Sequence, residues 1–325
     1  MFYQKLKKRK VPFFVLAPME DVTDTVFRQV INKCGRPEIF VTEFTSCEGI
    51  QSVGQARVIH RLKYDEIERP IIAQVWGITP KNYYDTAKLV LELGFDGMDI
   101  NMGCPVKNVI KQGACSALIK NHQLAKEILN ATKEALNGQI PLSVKTRIGF
   151  KAIETDVWCR FLLEQNLDCL TIHGRTVAEE SKADCHWDEI AKVVKIRDEI
   201  APNTIIIGNG DIFSKENGLQ KAIESGVDGI MIGRGVFKNP WIFNQDYQKN
   251  DKGEIWKNGY LVGQKERLEL LSFHIQKWQQ IWGETKNYSV LKKYFKIYLS
   301  GFEGAVELRT RFMETKNIQE AINLF

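Results

Sequence analysis

The sequence predicts a (β/α)8 TIM barrel followed by a small C-terminal all-helical domain. Eight short apolar runs, most of them rich in Val and Ile, alternate with longer amphipathic segments, as expected for strands that are covered on both faces. Parallel neighbours joined in this way need right-handed crossovers, and eight strand–helix units close into a barrel. A doubly wound sheet is the structural alternative, but it rarely needs eight strands in about 240 residues.

The predicted strands are FFVLAPM (13–19), IFVTEF (39–44), IIAQVWG (71–77), GMDINMGC (97–104), LSVKTRIG (142–149), CLTIHGR (169–175), TIIIGNG (204–210) and GIMIGR (229–234). Three of the intervening segments carry helix-boundary signals, a polar N-cap residue at the start and a glycine after the end. They run from Thr79-Pro80 to Leu93-Gly94, from Asn121 to Asn137-Gly138, and from Ser214 to Ser225-Gly226.

The pattern changes after Trp241. Residues 245–262 are polar and loop-like, and from 263 onward the chain is helical in character, without strand-like runs. We therefore predict a catalytic barrel over 1–245, a linker over 246–262 and a helical domain over 263–325.

Composition places the chain among ordinary soluble globular proteins, with 44% apolar and 26% charged residues and a net charge of only +5. Seven cysteines without a CxxC pair argue against a disulfide framework and a zinc ribbon, and indicate a reducing cytoplasm. The basic, then apolar N-terminus is interrupted by Pro12 and Pro18, unlike a signal peptide, and no window approaches a membrane span. We expect a cytoplasmic protein without a membrane partner.

Polar residues collect where the predicted strands end, which is where barrels of this type carry their active sites. They are Pro18-Met19-Glu20, Glu43, Gln74, Asn101 with Cys104, Lys145 with Arg147, His173 with Arg175, Asn209-Gly210-Asp211 and Gly233-Arg234. Because these strand ends meet at one end of a barrel, we expect the polar residues to form a single functional site there, at the barrel mouth.

The last two strand ends predict a phosphate site. GNGD (208–211) and GRG (233–235) are glycine-rich turns that can aim backbone N–H groups at an anion, and Arg234 adds a charged fork. A single glycine-rich turn is typical of any tight connection between elements. Two such turns at this end of the barrel favour a phosphate-binding site. Lys145 lies mid-strand and needs an anionic partner. With Gln74 and His173, it indicates a phosphorylated, ring-bearing cofactor.

An ordered set of motifs resembles the tRNA-dihydrouridine synthases over essentially the whole chain. The motifs are APMEDVTDTVFR (17–28), INMGCPVK (100–107), VKTRIG (144–149), TIHGRT (171–176), IIGNGDI (206–212), MIGRG (231–235) and, in the helical part, LKKYFKIYLSGFEGAVELR (291–309). The resemblance implies an FMN-dependent enzyme that reduces the C5–C6 double bond of selected uridines in tRNA, with NADPH as the hydride source.

The resemblance also implies a role for each residue at the mouth. Pro18, Met19 and Glu20 would meet the flavin. Gln74, Lys145 and His173 would bond its ring and ribityl chain, and Asn209, Gly210, Asp211, Gly233 and Arg234 would hold its phosphate. Asn101, Arg147 and Arg175 would lie beside the uracil, with Cys104 as proton donor.

Cys104 could also be a packing residue, a metal ligand or a nucleophile. As a proton donor it suits the reaction, because a thiol with a pKa near 8.5 is mostly protonated at neutral pH. Cationic neighbours could lower that pKa. Cys115 stands in GACSAL where the family usually has a glycine, and this departure bears on the shape of the loop.

A second departure from the family lies at ESKADCHWDEI (180–190), which lacks the usual aromatic and glycine residues. Its Cys185 and His186 are adjacent and cannot both bind a metal well without distant partners. We therefore predict no metal site.

The helical part carries a candidate RNA surface. Lys292, Lys293 and Lys296 alternate with Tyr294, Phe295 and Tyr298, so that the lysines could meet phosphates while the aromatic rings stack on bases or pack inward. A solvated amphipathic helix is the alternative. Lys5, Lys7, Lys8, Arg9 and Lys10 add a flexible basic arm.

Two other functions compete with the tRNA reductase, which we expect to be monomeric. An FMN barrel oxidoreductase for a free pyrimidine, like the dihydroorotate dehydrogenases, would not need a basic helical appendage. A non-catalytic RNA-binding protein would not need Cys104, Lys145 and the phosphate loops.

Overall fold

The computed structural model describes residues 2–250, 252 and 254–325. Met1, Asp251 and Gly253, which fall in the predicted ranges 1–245 and 246–262, lie outside the described residues. Among the described residues, no helix is both long and apolar enough to cross a membrane.

A closed parallel barrel forms the larger part of the molecule, as predicted. Its strands are β1 (Phe13–Leu16), β2 (Phe40–Val41), β3 (Thr45–Ser46), β4 (Ile71–Trp76), β5 (Gly97–Met102), β6 (Leu142–Arg147), β7 (Cys169–His173), β8 (Ile205–Asn209) and β9 (Gly229–Ile232). They pair in the order β1-β9-β8-β7-β6-β5-β4-β2. A parallel bridge between Val15 and Ile39 closes the ring, which rules out the open doubly wound sheet.

The helices of the barrel part are α1 (Phe2–Lys8), α2 (Thr25–Cys34), α3 (Cys47–Ile50), α4 (Pro80–Glu92), α5 (Lys107–Lys111), α6 (His122–Leu136), α7 (Thr155–Leu163), α8 (Trp187–Ile200), α9 (Lys215–Ser225) and α10 (Gly235–Lys238). Short 3-10 turns lie at Gln55–Arg57, Ile59–Leu62, Glu66–Glu68 and Cys115–Lys120. The three helices with boundary signals begin and end within a residue or two of their predicted limits. Asn121 and Ser214 act as N-caps, accepting from the amides of Leu124 and Asn217.

The second strand differs from its prediction, because the run 39–44 pairs in two short pieces. Thr42 explains the interruption. Its amide donates to the carbonyl of Ile72 at 2.9 Å, but its hydroxyl, rather than a main-chain carbonyl, accepts from the amide of Gln74 at 3.0 Å. The Thr42 hydroxyl thus takes the place of a main-chain carbonyl as the acceptor of one hydrogen bond between the strands. Main-chain pairing with β4 resumes at β3.

The predicted flexible basic arm is wrong. Residues 2–8 form α1, whose Tyr3 is buried and whose Phe2 and Leu6 pack on the core inside the barrel. Lys7 Nζ donates to the carbonyl of Pro202 at 2.6 Å, just before β8. The helix therefore covers the amino ends of the strands, and its basic residues lie at the end of the barrel opposite the mouth.

The segment predicted as a loop-like linker contains a three-stranded antiparallel sheet, β10 (Tyr247–Lys249), β11 (Ile255–Lys257) and β12 (Tyr260–Leu261). The turn between the last two strands is Asn258-Gly259, both with positive φ (46° and 87°), the conformation that a tight two-residue hairpin requires. This Asn-Gly pair was the sequence signal for the hairpin, and the polar composition of the segment concealed it.

The C-terminal helices are α11 (Gln264–Ile281), α12 (Ser289–Lys292), α13 (Phe295–Tyr298), α14 (Ala305–Glu314) and α15 (Ile318–Ile322). Leu271, Ile275 and Trp278 of α11 belong to the same hydrophobic cluster as the outer core of the barrel. Asp24, 2% exposed, fixes the junction by accepting from Trp282 Nε1 at 2.9 Å and Lys286 Nζ at 2.8 Å. The helical part is thus tied to the rim of the barrel beside its mouth.

Candidate active site at the barrel mouth

Strand register brings four side chains into one row at the carboxyl ends of the strands. Arg147 pairs with His173, His173 with Asn209, and Asn209 with Met231. Partners in a parallel sheet point to the same face, and all four residues line one cavity of about 390 Å³. This size suits a small-molecule site. Lys145, two residues before Arg147, lies one layer deeper on the same face and lines the same cavity.

The structure gathers most of the residues predicted at the mouth around this cavity. Those that line it are Pro18, Met19, Lys145, Arg147, His173, Asn209, Gly210, Asp211, Gly233 and Arg234. The residues predicted at the mouth that do not line the cavity are Glu20, Glu43, Gln74, Asn101, Cys104 and Arg175, and Lys292, Lys293 and Lys296 do not line it either. The lining also includes Phe213 and, from the segment 180–190 that departs from the family, Glu180 and Ser181.

The cavity carries more positive than negative charge at its base. Lys145 Nζ bonds to Asn209 Oδ1 at 3.2 Å, an amide rather than a carboxylate. Burial, followed by the charge of Arg147, lowers the pKa of Lys145 to about 8. Burial, assisted by Arg147 and Lys145, also holds the pKa of His173 well below its ordinary value, so this imidazole is neutral at pH 7. A ligand with negative charge or carbonyl oxygens would relieve this repulsion.

One acid organises two arginines at the loop after β8. Asp211 accepts from Arg234 Nη2 at 3.2 Å and pairs through its other oxygen with Arg175. Arg175 is 2% exposed, and its Nε donates to the carbonyl of Ala183 at 2.6 Å. Arg175 therefore lies behind the cavity wall and orients Asp211, while Arg234 remains half-exposed.

Gly210 is required by the same loop. Its φ is 136°, and a Cβ built there would lie 2.3 Å from Cys185 Sγ. Any larger residue would displace either the loop or the segment that carries Cys185. This clash accounts for the glycine in GNGD in addition to any contact with a ligand.

A buried polar chain links the interior of the barrel to the turn that holds Cys104. Ser143 Oγ and Gln74 Nε2 donate to Asp99 at 2.5 and 2.7 Å, and Asn101 Nδ2 donates to Gln74 Oε1 at 3.0 Å. Burial is the main cause that raises the pKa of Asp99 to about 6. Asp99 and Ser143 were missed in the sequence because only strand register places them beside Gln74.

Asn101 and Arg147 fix the turn itself. Asn101 Oδ1 accepts from the amides of Gly103 and Cys104, each at 3.0 Å. Arg147 Nε donates to the carbonyl of Gly103 at 2.8 Å. The side chain of Asn101 is thus occupied in shaping the turn, whereas Arg147 both supports the turn and faces the cavity. Cys104 is held at the rim, next to the lining residue Pro105.

A second thiol lies against Cys104. Cys115 is fully buried with Val109 and Ala114, and Cys104 packs on this cluster. A hydrogen bond from the Cys115 thiol is the largest influence on Cys104 and, against the opposing effect of burial, lowers its pKa to about 7. Cys115 has φ 52°, which is the left-handed conformation that favours glycine.

Cys185 and His186 point to different partners. Cys185 Sγ donates weakly to the carbonyl of Asn209 at 3.7 Å, and His186 Nε2 lies 2.9 Å from Glu179 Oε1. Among the described residues, no group of three or more His, Cys, Asp and Glu side chains is placed to hold a metal ion.

The three C-terminal lysines do not form one surface. Lys293 and Lys296 line a common groove, whereas Lys292 Nζ donates to the carbonyl of Met313 at 2.7 Å. Lys292 ends α12, whereas Lys296 lies in α13, and a break in the helix separates the two. Tyr294, Phe295 and Tyr298 are buried and therefore pack inward.

Two comparisons with solved structures concern the fold. Histamine dehydrogenase from Rhizobium sp. 4-9 matches with a TM-score of 0.51 and 12% identity, over 70% of this chain and 44% of that chain. The 6-hydroxypseudooxynicotine amine oxidase from Pseudomonas geniculata N1 matches with a TM-score of 0.54 and 14% identity, over 72% and 46%. This chain spans less than half the length of either structure, and the likeness shows the barrel fold.

Curated relatives match over nearly their full length. The probable tRNA-dihydrouridine synthase 2 of Bacillus subtilis (strain 168) is 44% identical over 322 residues, covering 98% of this chain and 94% of that protein. The probable tRNA-dihydrouridine synthase of Staphylococcus aureus (strain COL) is 43% identical over 315 residues, covering 95% and 91%. The family model for dihydrouridine synthase matches residues 15–325. The chain therefore belongs to the dihydrouridine synthase family.

Proposed function

We propose that this protein is an FMN-dependent oxidoreductase that reduces the C5–C6 double bond of uridines in tRNA, with NADPH as hydride source. The observation that carries the proposal is the row Arg147–His173–Asn209 above Lys145, placed next to a rim cysteine. Family membership and the names of the curated relatives support the same activity. A cytoplasmic, monomeric enzyme is the form that we propose.

The residues at the mouth fit a flavin mononucleotide. Lys145 is a buried cation whose hydrogen-bond partner is an amide, so it can serve the carbonyl side of the ring, and neutral His173 can bond the ring or ribityl oxygens. Arg234, with the loops at Gly210 and Gly233, would hold the phosphate. Pro18 and Met19 would pack on the ring. Glu20 and Gln74 lie outside the lining, and we assign Gln74 to support of the Asn101 turn.

Cys104 is the proposed proton donor. When bound, the flavin would supply hydride to C6 of the uracil, and C5 would then need a proton. The Cys104 thiol would supply this proton from the cavity rim, and Arg147, which lines the cavity, would bond a carbonyl oxygen of the base. Asn101 and Arg147 keep the sulfur in position through the main chain of the turn. The uracil therefore meets a preorganised acid.

Deleting every copy of the gene in the source cell and mapping dihydrouridine in its tRNA would test this proposal. We expect specific positions to revert to uridine, and the purified protein to be yellow with flavin absorbance. An unchanged modification map with a flavin-containing protein would favour a free-pyrimidine reductase. A colourless protein that binds RNA would favour a non-catalytic function.

Replacing Cys115 with glycine should move the pH dependence of uridine reduction to higher pH. A general acid with a pKa of about 7 is protonated below that pH, so the rate should fall as pH rises through it. Removing the Cys115 thiol takes away the hydrogen bond that stabilises the Cys104 thiolate, which raises the Cys104 pKa. Single-turnover rates across pH 6–9 would measure the descending limb. Cys115→Ser, which keeps a donor, should retain more of the original profile, and identical profiles for all three proteins would contradict the interpretation.

Replacing Arg234 with alanine should weaken FMN binding by about 1.5 kcal/mol, the lower end of the range for hydrogen bonds to charged groups. The low end applies because the side chain is 53% exposed and already shared with Asp211. Fluorescence titration of the apoprotein with FMN would measure the change. Arg160→Ala is the control, since Arg160 pairs with Glu199 on the outer helices and should leave the affinity unchanged. Equal affinity in Arg234→Ala, or a natural load of FAD, would refute the phosphate assignment.

A further inference from the structure

Two thiols meet at the turn that follows β5. Cys104 is partly exposed at the rim of the mouth, whereas Cys115 is 0% exposed. Cys104 packs on a small apolar cluster to which Cys115 belongs, and a hydrogen bond joins the two thiols. An oxidant that enters the mouth therefore reaches the sulfur of Cys104 first, with the sulfur of Cys115 directly behind it.

The main chain keeps these two residues beside each other. Ser116, which follows Cys115, donates from its hydroxyl to the carbonyl of Cys104 at 2.7 Å. The amide of Cys104 is held in turn by Asn101 Oδ1 at 3.0 Å. A disulfide forms readily only between side chains that already face each other. Here the sulfurs have to close only the gap between a hydrogen bond and a covalent bond.

The two thiols differ in their readiness to react. The hydrogen bond from Cys115, against the opposing effect of burial, lowers the pKa of Cys104 to about 7. A large fraction of Cys104 is therefore thiolate at neutral pH, and the thiolate is the form that a peroxide oxidises. Burial holds the pKa of Cys115 well above its ordinary value, so this thiol stays protonated. Cys104 is thus the residue that is oxidised first, and Cys115 is placed as the resolving thiol.

The backbone of Cys115 makes the presence of a thiol there notable. Its φ of 52° lies in the left-handed region, where glycine is more favourable than any residue with a side chain. What cysteine adds over glycine at this position is one sulfur in contact with Cys104.

We propose that Cys104 and Cys115 form a reversible disulfide when the protein meets a peroxide, and that this bond switches off uridine reduction. The Cys104 thiolate attacks hydrogen peroxide, the O–O bond breaks, and a sulfenic acid and hydroxide form. The Cys115 sulfur then attacks the sulfenic sulfur, and its proton leaves with the hydroxyl group as water. The two sulfurs lose two electrons, and the peroxide is reduced to water and hydroxide. A dithiol reverses the bond by thiol–disulfide exchange.

The switch rests on the proposed function, because oxidised Cys104 has no proton to give to C5. The disulfide form should therefore reduce uridine no faster than Cys104→Ala. Flavin reduction by NADPH should continue, since neither cysteine is among the described residues that line the cavity.

The test treats the purified flavoprotein with hydrogen peroxide, blocks free thiols with iodoacetamide in denaturant without reductant, and digests the protein with trypsin. Cys104 and Cys115 fall in separate tryptic peptides, 89–107 and 112–120. We expect mass spectrometry to show these peptides joined, with the loss of two hydrogen atoms, and separated again after dithiothreitol. Uridine reduction should be lost and regained in parallel. Joining should become faster as pH rises through about 7, because the thiolate is the attacking form.

Cys115→Ser is the matched variant, since it keeps a donor beside Cys104 but cannot form the bond. In this variant excess peroxide should carry Cys104 on to the sulfinic acid, and dithiothreitol should not restore uridine reduction. Cys185 is the internal control in the parent protein. Burial raises its pKa to about 12 and its sulfur faces the carbonyl of Asn209, so it should remain free to react with iodoacetamide.

Two results would overturn the proposal. One is sulfinic acid on Cys104 of the parent without any joined peptide. The other is a joined peptide in a protein that reduces uridine at the untreated rate, which would also remove Cys104 as proton donor but leave the tRNA reductase in place. If the untreated protein forms no dihydrouridine, the proposed function fails, and the peptides alone decide whether the disulfide exists.

Discussion

Replacing Cys104 with alanine should lower the rate of uridine reduction by about 10²- to 10⁴-fold, the usual contribution of a general acid. The fold and the reduction of the flavin by NADPH should remain nearly intact, because Cys104 lies at the rim and its backbone is held by Asn101 and Arg147. Single-turnover oxidation of the reduced enzyme by tRNA, followed by flavin absorbance, would measure the loss directly.

The competing interpretations of Cys104 make different predictions for the same variant. A packing role predicts a lowered melting temperature with near-normal turnover. A metal-ligand role predicts zinc in the parent and its loss in Cys104→Ala. Cys104→Ser should recover only part of the rate, since a hydroxyl is a much weaker acid than a thiol. Normal turnover in Cys104→Ala would end the proton-donor proposal.

Replacing Asp24 with alanine should lower the free energy of unfolding by about 3–5 kcal/mol, the cost of breaking a buried ion pair from one side. Asp24 accepts from the amide of Phe27 at the start of α2 and from Trp282 and Lys286 of the helical part. Its loss would leave Lys286, whose side chain is 12% exposed, without its carboxylate. Urea denaturation followed by tryptophan fluorescence would measure the change.

Asp24 both caps α2 and binds the helical part. Ser214→Ala measures the cost of losing a helix cap alone. Ser214 caps α9 through the amide of Asn217 at 3.0 Å, without a link to the helical part, so its loss should cost only about 1 kcal/mol. An equally small cost for Asp24→Ala would mean that Asp24 acts only as a helix cap. The helical part would then be held to the barrel by apolar packing alone.

The barrel could be predicted because each of its signals is local. Buried parallel strands give continuous apolar runs, and polar caps mark helix starts at Asn121 and Ser214. The same local logic explains two errors. The Asn258-Gly259 hairpin was overlooked in a polar stretch, and the apolar Phe2, Tyr3 and Leu6 of α1 were overlooked among lysines.

The site could be predicted only in part, because its chemistry depends on register and on contacts between distant segments. Lys145, His173 and Arg234 were found from their places at strand ends. The thiol of Cys115 affects Cys104 through a loop that no periodicity describes. Glu43 was noted at a strand end, but its environment could not be inferred. It is 1% exposed, and burial raises its pKa to about 7.

The most direct test of the central claim is to incubate the purified flavoprotein with NADPH and an unmodified tRNA transcript, and then to analyse the nucleosides by mass spectrometry. We expect NADPH oxidation that depends on the tRNA, and a uridine product heavier by two hydrogen atoms. Flavin reduction by NADPH without any dihydrouridine in the transcript, under conditions where a free pyrimidine is reduced instead, would contradict the account.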